Sequence, residues 1–137
     1  MGSANALATG VAFVGGHSNL KGNVYFFETG TGQWGGVCAD DFDSEDANTV
    51  CRQLRFSRAR EFFGSTAGGG ARGNAFGRVP TPFGILSGLA VVAGTLTGPN
   101  CGTANVRLQT CPNFAAGVAA MPLNCPSNQV AGVQCVA

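Results

Sequence analysis

Charge is scarce in this sequence. Of its 137 residues only 11% are Asp, Glu, Lys or Arg, against about 25% in an ordinary soluble domain. The formal net charge is +1, so no global field argues for nucleic acid or an anionic membrane surface. There is one histidine, His17, so a histidine-based metal centre lacks its material and a nucleophile–base triad would have to use that one residue. No apolar run reaches the roughly 20 residues that a membrane helix requires. The nearest, FGILSGLAVVAGTLT at 83–97, is shorter and broken by glycines, and it reads as one or two buried strands. No Asn-x-Ser/Thr glycosylation acceptor occurs. No two cysteines stand in CxxC spacing, which removes thioredoxin-type redox and zinc-framework readings.

What is abundant is glycine, with 22 residues, which predicts many turns and little long helix. Six cysteines stand at 38, 51, 101, 111, 125 and 135. An even count without metal-ligand spacing points to three disulfides in an oxidising compartment, with every connectivity open at this stage. The length fits one domain. Met1-Gly2-Ser3 reads as an expression scar, so residues 1–10 are expected to be scar and linker and 11–137 a single domain cut from a larger chain.

The little charge there is falls in two blocks. Five of the seven acids are Asp40, Asp41, Asp43, Glu45 and Asp46, and six of the eight bases lie between Arg52 and Arg78. Between Cys38 and Cys51 the pattern predicts a helix over 43–54. Asp43 suits the N-cap, with Asp46 three places on in a capping-box arrangement. Glu45 and Asp46 suit the positive end of the helix dipole, and Arg52 suits the other end. Ala47, Val50, Cys51 and Leu54 recur at helical spacing and form one buried face. Strands are expected at Val11–Val14, running into a Gly15-Gly16 turn that exposes His17, at Asn23–Glu28, at Gln33–Cys38 and near the end, over 130–137. The stretch from Phe62 to Pro99 is glycine-rich and then apolar, and most of it reads as loop.

Several motifs resemble the scavenger receptor cysteine-rich (SRCR) family. GQWGGVC is similar to the family's G-x-W-G-T-V-C, with Gly36 in place of threonine. FDSEDANTVCRQLRF resembles W-D-x-x-D-A-x-V-V-C-R-Q-L-G-F. CGTANVRLQTC keeps the family's ten-residue cysteine step, and NCPSNQVAGVQC keeps Ala131, Gly132 and Val133. The resemblance runs from Val11 to Val136 and is to the six-cysteine, group A-like members. It implies an α+β fold: a small disulfide-rich domain in which a curved antiparallel sheet cradles one helix, with long loops. It also implies the pairs Cys38–Cys125, Cys51–Cys135 and Cys101–Cys111. Residues 64–99 form an insertion longer than in most members, on which the resemblance is silent.

The implied function is an extracellular module, secreted or on an ectodomain, that recognises a protein or a polyanionic glycan through a rigid surface. Nucleic acid and membrane insertion are not expected. The alternative is a structural domain that docks to neighbours in an extracellular assembly. For the first reading the candidate contacts are Arg55, Arg58 and Arg60, whose guanidinium forks suit sulfate, phosphate and carboxylate groups. Resemblance also implies a calcium-type site at Asp40, Asp41 and Asn124, though Ala39 and Gln129 stand where the family has acids. No cofactor is required. Catalysis is not expected, because every cysteine is assigned to a disulfide and His17 is the sole imidazole. GTGQWG at 30–35 fits G-x-G-x-x-G in letters, but it leads into a strand instead of opening a helix, so a dinucleotide site is not expected.

Overall fold

The computed structural model describes residues 10–18, 20–28, 30, 32–65, 71–72, 92–114, 125–126 and 129–137. Among the described residues seven strands and one helix of several turns are ordered as β1 (Val11–Ser18), β2 (Lys21–Glu28), β3 (Gln33–Val37), α1 (Ser44–Gln53), β4 (Arg58–Ser65), β5 (Ala71–Arg72), β6 (Val92–Leu96) and β7 (Gly132–Val136). A short 3-10 turn occupies Leu108–Thr110. The sheet runs β5-β4-β7-β2-β3-β6, with β1 alongside β2. β1 covers one edge of β2, so β3 and β7 share the other: β3 over Tyr25–Glu28 and β7 over Lys21–Asn23. Pairings are antiparallel except β3 with β6, which is parallel. This is the expected α+β fold, an antiparallel sheet with one helix, with a single parallel edge pair added.

Two strands depart from the sequence expectation. The turn expected at Gly15-Gly16 is part of β1, which continues to Ser18 and carries His17 with it. The register shifts between Val14 and Ser18, so the glycines loosen the ladder without ending the strand. β4 falls where a run of surface arginines was expected to give way to loop. In the apolar stretch at 83–97, β6 is the one strand among the described residues; residues 66–70 and 73–91 of the insertion lie outside them.

The helix obeys its sequence. Asp43 Oδ1 accepts from the Asp46 N–H at 3.0 Å, and Asp46 Oδ2 accepts from the Asp43 N–H at 3.1 Å, a reciprocal capping box. Ala47, Val50 and Cys51 are fully buried and join Val24, Phe26, Val37, Phe42, Leu96 and Val133 in the core, while α1 packs against β4 and β7. The helix ends in a Schellman motif: Phe56 N–H donates to Cys51 O and Arg55 N–H donates to Arg52 O. Arg55 holds the left-handed position of that motif, with φ of 71°. Glycine is the residue that fits there without strain, and the SRCR motif has glycine at this place.

Three disulfides hold these elements: Cys38–Cys125, Cys51–Cys135 and Cys101–Cys111. The first two close sequence separations of 87 and 84 residues. In the chain-entropy account, loops of that size remove roughly 4–5 kcal/mol of unfolded-state freedom each.

Candidate functional site

The polar side of α1 is buried as well as its apolar side. Asp46, Thr49 and Gln53 all face the loop closed by Cys101–Cys111 and are themselves buried. Asp46 Oδ1 accepts from the Cys101 N–H at 2.8 Å. Gln53 accepts from the Leu108 N–H at 2.7 Å and donates to Gln109 Oε1 at 2.9 Å. Arg52 places Nε and Nη2 on the Asn105 carbonyl oxygen at 3.2 and 2.8 Å. Periodicity counts apolar residues, so it missed this second interface; its only sequence signal is that Asp46, Thr49 and Gln53 recur at three- and four-residue steps. Burial pushes the Asp46 carboxyl up to about 7, against the pull of its backbone hydrogen bonds to Cys101 and Asp43. Burial likewise pushes Tyr25 up to about 12.

These contacts sort the basic block. Arg52 is half-buried and committed to the loop. Arg55, Arg58 and Arg60 are exposed, and among the described residues none makes an ion pair or side-chain hydrogen bond. Arg55 leaves the helix end, and Arg58 and Arg60 open β4. The three lie within six residues of one another, on the turn that carries the chain from α1 into the sheet.

Among the described residues the one convergence of His, Cys, Asp and Glu donors is Cys38, Asp40 and Cys125. Two of these are the sulfurs of a disulfide, which offer no thiolate. Asp41 is not in that group; it has a left-handed backbone, with φ of 56°, and its side chain lies against Gly98. Asn124 lies outside the described residues. Ala39 is buried and has no donor side chain. Gln129 Oε1 is a buried oxygen with no hydrogen-bond partner among the described residues, and the Gln129 backbone carbonyl accepts from the Ala39 N–H. Calcium takes six to eight oxygens, several of them carboxylates. Among the described residues that group supplies one carboxylate, Asp40.

The fold and its six paired cysteines define a disulfide-stapled extracellular-type module. The family description "Scavenger receptor cysteine-rich domain" matches residues 14–136, and the chain belongs to that family. It is 28% identical over 93% of its length to a scavenger receptor cysteine-rich domain superfamily protein of Patiria pectinifera, of which it covers 9%. It is 30% identical over 91% of its length to macrophage receptor MARCO of Mus musculus, covering 18% of that protein. Over 42% of its length it is 39% identical to lysyl oxidase homolog 2 of Homo sapiens, covering 7% of it. The chain thus spans less than a fifth of each of these relatives. Among the described residues no helix is long and apolar enough to cross a membrane.

Proposed function

We propose that this domain is an extracellular binding module, one part of a larger chain, and that it recognises polyanionic glycans or acidic protein surfaces through Arg55, Arg58 and Arg60. The observation that carries this reading is the contrast among the arginines. Arg52 is engaged by the loop beneath it, whereas the other three are exposed without a partner among the described residues. A left-handed arginine is costly by about 1–2 kcal/mol, and a cost of this kind at a surface position points to use of the side chain. Membership of a family with a macrophage receptor among its relatives supports the same reading. The disulfides and the loop contacts of α1 supply rigidity, so little ordering entropy opposes binding. Neither a cofactor nor a catalytic residue is part of this reading.

The test is binding to immobilised dextran sulfate at several salt concentrations. The wild type should bind with affinity that falls steeply as salt rises. The triple variant Arg55→Ala, Arg58→Ala, Arg60→Ala should lose binding by about a thousandfold at unchanged disulfide pairing, since each hydrogen bond to a charged group contributes about 1.5–3 kcal/mol. A triple variant that binds like wild type would remove the polyanion reading and favour a docking role for the domain in an extracellular assembly.

A further inference from the structure

β4 is not a regular strand. Against β7, Ala59 faces Cys135 and Glu61 faces Gln134. Arg60 is therefore an extra residue, the mark of a β-bulge. The bulge has a visible consequence. Ala59 and Phe62, three residues apart, both pack against the core, which a strand of period two cannot arrange. Without the extra residue, Glu61 would turn inward with Ala59, and Phe62 would turn out. The bulge keeps both Arg60 and Glu61 exposed.

A side chain from the helix pins this irregularity. Asn48 Oδ1 accepts from the Ala59 N–H at 2.8 Å. Asn48 stands one turn before Arg52 on α1, and Ala59 is the residue flanked by the two strand arginines. A strand N–H that points away from its partner strand needs another acceptor. Asn48 provides it at the one residue whose position decides where Arg58 and Arg60 emerge.

We propose that Asn48 is a positioning residue for the anion-binding site: by fixing the bulge at Ala59–Arg60 it sets the placement of the Arg58 and Arg60 side chains, without touching the ligand itself. This rests on the polyanion reading of Arg55, Arg58 and Arg60. Asn48 carries no charge, so nothing in a count of cations gives it a place in binding.

The test uses dextran sulfate as probe and three proteins beside wild type: Asn48→Ala, Thr49→Val, and the triple arginine variant. Thr49→Val removes a hydrogen bond to the Asn105 carbonyl from the same helix and leaves β4 untouched. It controls for general loss of stability. Asn48→Ala should weaken binding about tenfold, the scale of one lost hydrogen bond to a charged group. It should also lower the slope of log K against log salt by about one, the signature of a lost ionic contact, although no charge has been removed. Thr49→Val should lower the melting temperature while leaving affinity and slope at wild-type values. If the triple variant loses binding but Asn48→Ala keeps both wild-type affinity and slope, the positioning role is overturned and the polyanion reading stands. If Thr49→Val lowers affinity and slope as Asn48→Ala does, the effect is one of stability and the positioning role is again overturned. If the triple variant binds normally, the polyanion reading falls and the role of Asn48 falls with it.

Discussion

At the N-terminal end of α1, Asp43 and Asp46 accept backbone hydrogen bonds from each other, and Asp46 reaches across to Cys101. At the C-terminal end, Arg55 projects from a left-handed backbone, and Arg58 and Arg60 follow on β4, all three exposed. One ten-residue helix thus begins with charge turned into the fold and ends with charge turned out of it. Arg52 marks the border, since its guanidinium lies on the Asn105 carbonyl. The difference teaches that a charge block in a sequence has no single meaning. Burial and available backbone partners decide whether a charge serves the fold or faces a ligand.

Each end can be broken separately. The largest effect belongs to Asp46. Asp46→Ala leaves the Asp43 and Cys101 N–H groups without their acceptor, and each orphaned buried donor costs about 1–3 kcal/mol. Urea unfolding should therefore show a loss of about 2–6 kcal/mol, with dextran sulfate affinity unchanged. The next effect lies at the other end and has the opposite sign. Arg55→Gly relieves the left-handed strain and should raise stability by about 1 kcal/mol, read as a higher urea midpoint, while weakening polyanion binding. An Arg55→Gly protein no more stable than wild type would mean that the left-handed arginine carries no strain.

A further effect is one of pH. Because burial raises the Asp46 carboxyl to about 7 from an ordinary 3.8, the folded state holds this proton more tightly than the unfolded chain does. The resulting stabilisation is fully present below pH 3.8 and is lost as pH rises through about 7. Between pH 5 and 8 the melting temperature should fall on the alkaline side, and Asp46→Asn should flatten that slope. A wild-type profile that rises instead towards pH 8 would show that the backbone hydrogen bonds outweigh burial.

What could be read from the sequence follows the same division. The helix was legible because its cap and its apolar face are local signals: Asp43, Asp46, Ala47, Val50 and Cys51 lie within nine residues and all act as their spacing implies. β4 was not, because its bulge breaks the alternation that identifies a strand, and Arg58 and Arg60 read as surface charge. The parallel pairing of β3 with β6 was not legible either, since pairing partners distant in sequence leave no local pattern. Of the candidate site, the arginines were visible as residue types. Their sorting into Arg52, held by the loop, and Arg55, Arg58 and Arg60, left exposed, required the Asn105 carbonyl to be placed in space. Ala39 and Gln129 were readable as departures from the family's acids, while the placement of Asp41 beside Gly98 was not.

The most direct measurement sets the two ends of α1 against each other in one experiment: unfolding free energy and dextran sulfate affinity, determined side by side for Asp46→Ala and for Arg58→Ala with Arg60→Ala. The account predicts that the aspartate variant loses stability and keeps affinity, while the arginine pair loses at least tenfold in affinity and changes stability by under about 0.5 kcal/mol, as exposed positions do. Affinity lost in the aspartate variant, or retained in the arginine pair, would contradict it.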